Sequence, residues 1–175
     1  MKSNKLIDNI FYYVIIFFLA SVVGYIYEVI YCIVDDHELV NRGFLYGPYL
    51  PVYGFGALAM ILTLKKFTKH PVALYFMAII VTGITEYIAG LFLDKVFHER
   101  LWDYTGLLLN INGYVCLRSV LSFGVGALLL FYFADPLIVK KILPIREKYK
   151  KIIIILVTVT ITIDFIFTLI FKYVL

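Results

Sequence analysis

Five apolar runs dominate this sequence, and each must be surrounded by something other than water. They cover about residues 10–34, 49–64, 72–96, 114–133 and 152–174. An apolar run of about 18 residues or more with few charges can cross a bilayer as a helix, because a helix pairs its backbone groups internally where no water is available. Composition agrees: the chain is 63% hydrophobic and 16% charged, with a mean hydropathy of +0.94. Soluble domains are nearer 45–50% apolar and about 25% charged. The expected fold is therefore all-α: one polytopic transmembrane helix bundle over residues 1–175, with about five spans. The first run is too long for the roughly 7–15-residue core of a signal peptide and has no clean small-residue cleavage site, so it reads as an uncleaved span.

Loop charges set the orientation. Lys2 and Lys5 precede the first run, Lys65, Lys66 and Lys69 follow the second, and Lys140, Lys141, Arg146, Lys148, Lys150 and Lys151 follow the fourth. Basic residues collect in cytoplasmic loops, which puts the N-terminus inside and the C-terminus outside. Asp135 and Pro136 suit the N-cap and first position of a further helix. That predicts either a short amphipathic helix on the cytoplasmic surface or a simple stop-transfer basic loop. Cys32 and Cys116 have no metal-ligand spacing. They read as small apolar residues or, since the topology brings both near the outer surface, as a disulfide.

Ionisable groups within spans are costly and face protein or water. Glu28, Glu86, Asp94 and Asp164 lie in or near the runs, on stripes with small or polar residues three or four positions away. These stripes are Ser21/Gly24/Glu28/Cys32, Gly83/Glu86/Gly90/Asp94, Arg118/Ser122/Gly126 and Thr160/Asp164/Thr168. Such spacing is one helix face, so each stripe is expected to face the bundle. At 1.5 Å per residue, Glu28 lies roughly 9 Å below the outer surface, and Glu86 and Asp164 lie roughly 15 Å below it. These charges either hold helices together or serve a function.

The stretch NRGFLYGPYLPVYGFG, residues 41–56, sits awkwardly at the start of the second run. Pro48 and Pro51 lack a backbone donor, and the glycines permit unusual backbone angles. Irregular backbone at membrane depth is tolerated where it is buried in protein or lines a wet cavity. A broken or re-entrant lead-in to the second span is expected, with Arg42 directed at Glu28 or Glu86. The segment HERLWDYTGLLLNINGY, residues 98–114, reaches the same face and brings Trp102, Asp103 and Tyr104, with Arg118 just beyond it.

These motifs carry a resemblance. NRGFLYGPYLPVYGFGA, TEYIAGLFLDKVFHERLWDYTGLLLNINGYVCLR and VVGYIYEVIY resemble the bacterial family of CmpB-like ABC transporter permeases, also called ABC-transporter type IV, over about residues 17–126. The resemblance singles out Asn41, Gly43, Gly47, Pro48, Pro51 and Gly54 as structural loop residues. It also singles out Glu28, Arg42, Glu86, Trp102, Asp103, Tyr104 and Arg118, which with Asp94 would line a cavity or bind substrate. It implies a multi-pass protein of the plasma membrane and a separate ATPase subunit.

The chain has no G-x-x-x-x-G-K-[ST] loop, so it does not hydrolyse ATP by that route. Nothing calls for a metal, another cofactor or nucleic acid. Five spans are few for a permease acting alone, so self-association is expected within the lipid bilayer. Three functions remain open: a transport component with an outward polar cavity, a non-catalytic membrane scaffold or regulator, and a membrane-embedded enzyme acting on a lipid or lipid-linked substrate. The last would draw general acid–base chemistry from paired carboxylates, but no nucleophile–base pair is legible.

Overall fold

The structure, a computed structural model, describes residues 4–35 and 43–173. Its main helices are α1 (Lys5–Asp35), α2 (Pro51–Leu64), α3 (Pro71–Phe92), α4 (Leu117–Leu129) and α5 (Glu147–Tyr173). Among the described residues the only extended pairing is an isolated bridge between Ile111 and Val115. The all-α bundle expected from the apolar runs is the fold observed. Among the described residues, four helical stretches are long and apolar enough to cross a membrane: Lys5–Val34, Pro71–Phe97, Leu117–Ile142 and Glu147–Lys172. Helix α2 has 14 residues, about 21 Å of helix, against a hydrocarbon core of roughly 30 Å. The chain divides into two compact units, Met1–Gly54 with Leu137–Leu175, and Phe55–Pro136.

In the first unit α1 and α5 run parallel. Lys150, in the first turn of α5, reaches Asp8 near the start of α1 at 2.5 Å, and its side chain is almost wholly buried. An amine so enclosed needs a partner, and this one ties the two helix N-termini together. Residues 43–50 lie without regular structure beside these helices. Phe44 packs on Phe165 with ring centroids 6.3 Å apart, and the Leu50 amide donates to the Ser21 carbonyl at 2.9 Å. Helix α2 then starts at Pro51, where the missing N–H removes nothing, because a first-turn amide has no intrahelical acceptor. The stripe Ser21, Gly24 and Cys32 is buried and Glu28 half-buried, as its spacing implied. Gly24 is required there: a Cβ would stand 2.2 Å from the Tyr53 ring.

The second unit is an antiparallel hairpin. Helix α3 buries Leu74, Ala78, Thr82, Glu86 and Gly90, every fourth residue, against Val120, Gly124 and Ala127 of α4. A Cβ on Gly124 would lie 2.6 Å from the Tyr75 ring, and one on Gly83 would lie 3.2 Å from Val120. Small residues thus set how closely the two helices pack. The expected inward stripe of Arg118, Ser122 and Gly126 is instead exposed. Its hydroxyl needs no second helix, because Ser122 Oγ donates to the Arg118 carbonyl one turn back, at 3.0 Å.

One further expectation is corrected. Asp135 and Pro136 do not begin a separate surface helix. Helix α4 continues through wider π turns at Leu130–Ala134 and Ile138–Ile142, with one α turn between them. Proline clashes with the carbonyl four residues back. Here the preceding turn is already widened, and the Asp135 amide reaches Leu130, five residues back. Of the two readings of the cysteines, the first holds: Cys32 and Cys116 are free, buried thiols, and the alternative of a disulfide is not what the structure shows. Cys116 caps α4: its Sγ accepts from the Ser119 amide, and Ser119 Oγ accepts from the Cys116 amide.

Candidate functional site

Each unit organises irregular backbone around a carboxylate. In the first unit that group is Asp164, near the middle of α5. The Tyr46 amide donates to Oδ1 at 3.1 Å. The Gly47 amide and the Tyr49 hydroxyl donate to Oδ2 at 2.8 and 2.5 Å. Thr168, one turn on, donates to Oδ1 at 3.5 Å. Residues 46–49 carry amide donors with no helix to receive them, and an ionised carboxylate is an acceptor-only group with room for several. Pro48, between the tethered residues, brings no donor of its own. Glu28 accepts from the Tyr53 hydroxyl at 2.6 Å, one turn into α2, close to Gly54. Gly43, Gly47 and Pro48 lie in the irregular segment, Pro51 opens α2 and Gly54 lies within its first turn. Asn41 and Arg42 lie outside the described residues.

In the second unit the carboxylate is Glu86 on α3, buried at 5% exposure. It accepts from the Tyr104 hydroxyl at 3.0 Å and from Ser119 Oγ at 2.8 Å. One group thus fixes the α3–α4 connection and the first turn of α4. Asp94, two turns on, accepts from the Tyr114 hydroxyl. The connection is dense. Trp102 Nε1 donates to the Tyr114 carbonyl at 2.9 Å. Arg100 bonds Asp103 Oδ2 and the Asn112 carbonyl, each at 2.9 Å. Asp103 Oδ1 accepts from the Thr105 hydroxyl and amide at 2.6 and 2.8 Å. These bonds hold the Asp103 carboxyl below the ordinary carboxylate range, with the Thr105 hydroxyl the largest cause, the Thr105 amide next and Arg100 adding to both. Gly113 closes the turn at φ +74°, and a Cβ there would lie 2.6 Å from Asp103 Oδ1.

Of the residues expected at a cavity, Glu86, Trp102, Asp103 and Tyr104 thus meet in one connected network, with Asp94 beside it through Tyr114. Arg118 is exposed in the first turn of α4. Gly90, Leu93, Arg100, Trp102 and Tyr114 border a shallow crevice with about 150 Å³ of empty space, open at the surface. Among the described residues no cluster of His, Cys, Asp or Glu is placed to hold a metal ion.

Sequence reasoning missed Asp164 as the anchor of the irregular segment, and Ser119 as a partner of Glu86. The signal for Asp164 was present: it is the only acidic residue after Glu147 in α5. Its partner lies 117 residues away in the chain, which no local pattern can supply.

No curated protein and no solved structure matches the chain. A family model described as "Putative ABC-transporter type IV" matches residues 15–169, which extends the likeness past the motif-rich first two-thirds to include Asp164. With nearly the whole length matched and the apolar helices in place, the chain is a multi-pass membrane protein that belongs to the CmpB-like ABC-transporter type IV family.

Proposed function

We propose that this chain is the membrane-embedded subunit of an ABC-type transport system, set in the plasma membrane with its N-terminus in the cytoplasm and powered by an ATPase on a separate chain. Family membership carries this reading. The separate ATPase follows from the lack of a phosphate-binding loop in this sequence, since ATP-driven transport needs one somewhere.

The crossing number has support of its own. Two parallel membrane helices are separated by an odd number of crossings, and α1 and α5 are held parallel by Lys150 and Asp8. Only α3 and α4 with its extension lie between them at full length. The third crossing is then residues 43–64, with the tethered segment at Asp164 making up the length that α2 lacks. This gives five spans. Short or interrupted helices whose freed backbone groups are satisfied at membrane depth are a recurrent construction in transporters.

A scaffold or regulatory role is the second reading. It draws on the internal partners of Asp164, Glu86, Asp94 and Asp103 and on the shallowness of the crevice. An enzyme acting on lipid has no observation in its favour. Affinity purification from native membranes in mild detergent separates the readings. Co-purification of a nucleotide-hydrolysing subunit, with hydrolysis lost on Glu86→Gln or on Asp164→Asn despite normal protein levels, is the expected result. Recovery of the chain with no ATPase, and an unimpaired host process in both variants, would favour the scaffold. Self-association is read from the mass of the same preparation.

A further inference from the structure

Among the described residues, the most exposed apolar group outside the helices lies at the tip of the α3–α4 connection. Leu108, Leu109 and Ile111 are 72%, 70% and 57% exposed, and Leu107 adds to the same tip. From Tyr104 to Leu117 the sequence has no charged residue. The charges of the connection, Glu99, Arg100 and Asp103, all lie at its base, where Arg100 and Asp103 pair with each other.

The tip pairs many of its polar groups within itself. The Leu107 amide donates to the Tyr104 carbonyl at 3.0 Å, and the Asn110 amide to the Leu107 carbonyl at 3.2 Å. Asn110 Nδ2 donates to that same carbonyl at 3.0 Å, and Asn110 Oδ1 accepts from the Gly113 amide at 3.3 Å. The turn therefore satisfies much of its own backbone and shows leucine outward. Leu109 even holds a left-handed conformation, φ +52°, where glycine or asparagine is the ordinary occupant.

Its level is fixed by one further bond. The Leu117 amide, at the first residue of α4, donates to the Leu108 carbonyl at 3.1 Å. Leu108 is thus one hydrogen bond from the start of a membrane-crossing stretch. The exposed apolar faces of α3 and α4, among them Phe92 at 53% and Leu121 at 38%, continue toward it. Trp102 and Tyr104 lie on the same connection, and such residues favour the level of the headgroups.

We infer that the leucine tip at residues 107–111 is an interfacial anchor that inserts into the bilayer at the α3–α4 end, with lipid acyl chains covering Leu108 and Leu109. Lipid is the occupant because the tip continues the lipid-facing surface of the two helices and carries no charge for an aqueous partner to recognise. A backbone largely paired within the turn is what a water-poor interface requires.

The test is collision accessibility of a nitroxide on Leu108→Cys and on Leu109→Cys, with the full chain in nanodiscs of phosphatidylcholine and phosphatidylglycerol. The native cysteines are at most 1% exposed, and labelling of the unmodified chain sets their background. The expected result is oxygen relaxing both labels severalfold more than a water-soluble nickel chelate, with the order reversed at Thr105→Cys at the base. A chelate that outcompetes oxygen at both leucines means an aqueous tip and overturns the inference. Low collision with both reagents means a protein partner or a second copy, and overturns it equally. Unchanged Trp102 emission checks the fold of each variant, and Ile111→Cys reports on the same surface should a leucine variant misfold.

Discussion

The two units solve one problem over different distances. Both contain backbone that belongs to no helix, and both tie it down with a carboxylate on a neighbouring helix, Asp164 through backbone amides and Glu86 through side-chain hydroxyls. In the second unit Glu86 reaches partners 18 and 33 residues away, across the ends of one hairpin. In the first, Asp164 binds amides 117 and 118 residues away. The hairpin can form its network as soon as α3 and α4 pack. The irregular segment cannot be satisfied until α5, the last of the described helices, has arrived beside α1. The difference lies in where the fold depends on assembly order: a local network shapes a loop, whereas a long-range one decides whether residues 43–50 can hold their place beside α1 and α5.

The largest loss is expected of Asp164→Ala. It strands two amides and a phenol together, and an unsatisfied buried donor costs about 1–3 kcal/mol. A loss of roughly 3–5 kcal/mol is expected on the same principle, read as a fall in thermal unfolding midpoint in detergent. Asp164→Asn keeps one acceptor oxygen and should recover about half of that stability. An Asp164→Ala loss no larger than that of an exposed Thr162→Ala control would remove the anchor from the argument.

Lys150→Met tests the parallel pairing of α1 and α5. Breaking a buried pair from one side costs about 3 kcal/mol or more, reduced here because Asp8 keeps some access to water, its side chain being 23% exposed. Asp8→Asn in the same background should add little, and a double-mutant cycle checks this. Additive losses would mean that the two residues act separately, and the parity argument for five crossings would lose its basis.

Within the hairpin, Glu86→Gln should be milder than any Asp164 change. Glutamine keeps an oxygen for Ser119 or Tyr104, and a loss of about 1–2 kcal/mol is expected. Gly113→Ala should cost a similar amount, about 1–3 kcal/mol for a strained left-handed residue, with the added clash at Asp103. Both effects should appear as faster hydrogen exchange over residues 100–116, with the α3–α4 helices still protected. Exchange spreading through both helices would mean that the network holds the hairpin itself and not only its connection.

How much of this was legible follows the same division. Apolar length alone gave the helices, and proline and glycine placed the irregular lead-in at the right residues. The stripe through Glu86 was readable because every fourth residue of α3 faces α4, and the motifs around Trp102, Asp103 and Tyr104 marked the connection. The stripe through Arg118 was misread because spacing shows which residues share a face, not which face the partner takes. Val120 and Gly124 took it, by fitting Gly83 and Tyr75. Asp135 and Pro136 looked like a helix start because a cap pattern does not reveal that π turns can carry a helix through proline. Asp164 was placed on a bundle-facing stripe but not matched to residues 46–49, since that pairing depends on tertiary contact alone.

The smallest expected effect concerns pH. Asp103 lies in the connection, outside the spans, and its carboxyl is held below the ordinary range, first by the Thr105 hydroxyl and then by the Thr105 amide and Arg100. A carboxyl with a lowered folded value is stabilising wherever it is ionised, which is above its unfolded value of about 3.9. That contribution falls away only as pH drops through the lower folded value. The order of the connection should therefore be flat from about pH 8 to pH 5 and should loosen only in more acidic solution. Trp102 is the natural reporter, since its indole donates to Tyr114 within the same network. Its emission should hold steady across the neutral range and shift to the red in acid. Asp103→Asn should remove the acid step and give a pH-independent, partly loosened signal. An acid step of full size in Asp103→Asn would assign the titration to another group, with Asp94 on Tyr114 the next to examine.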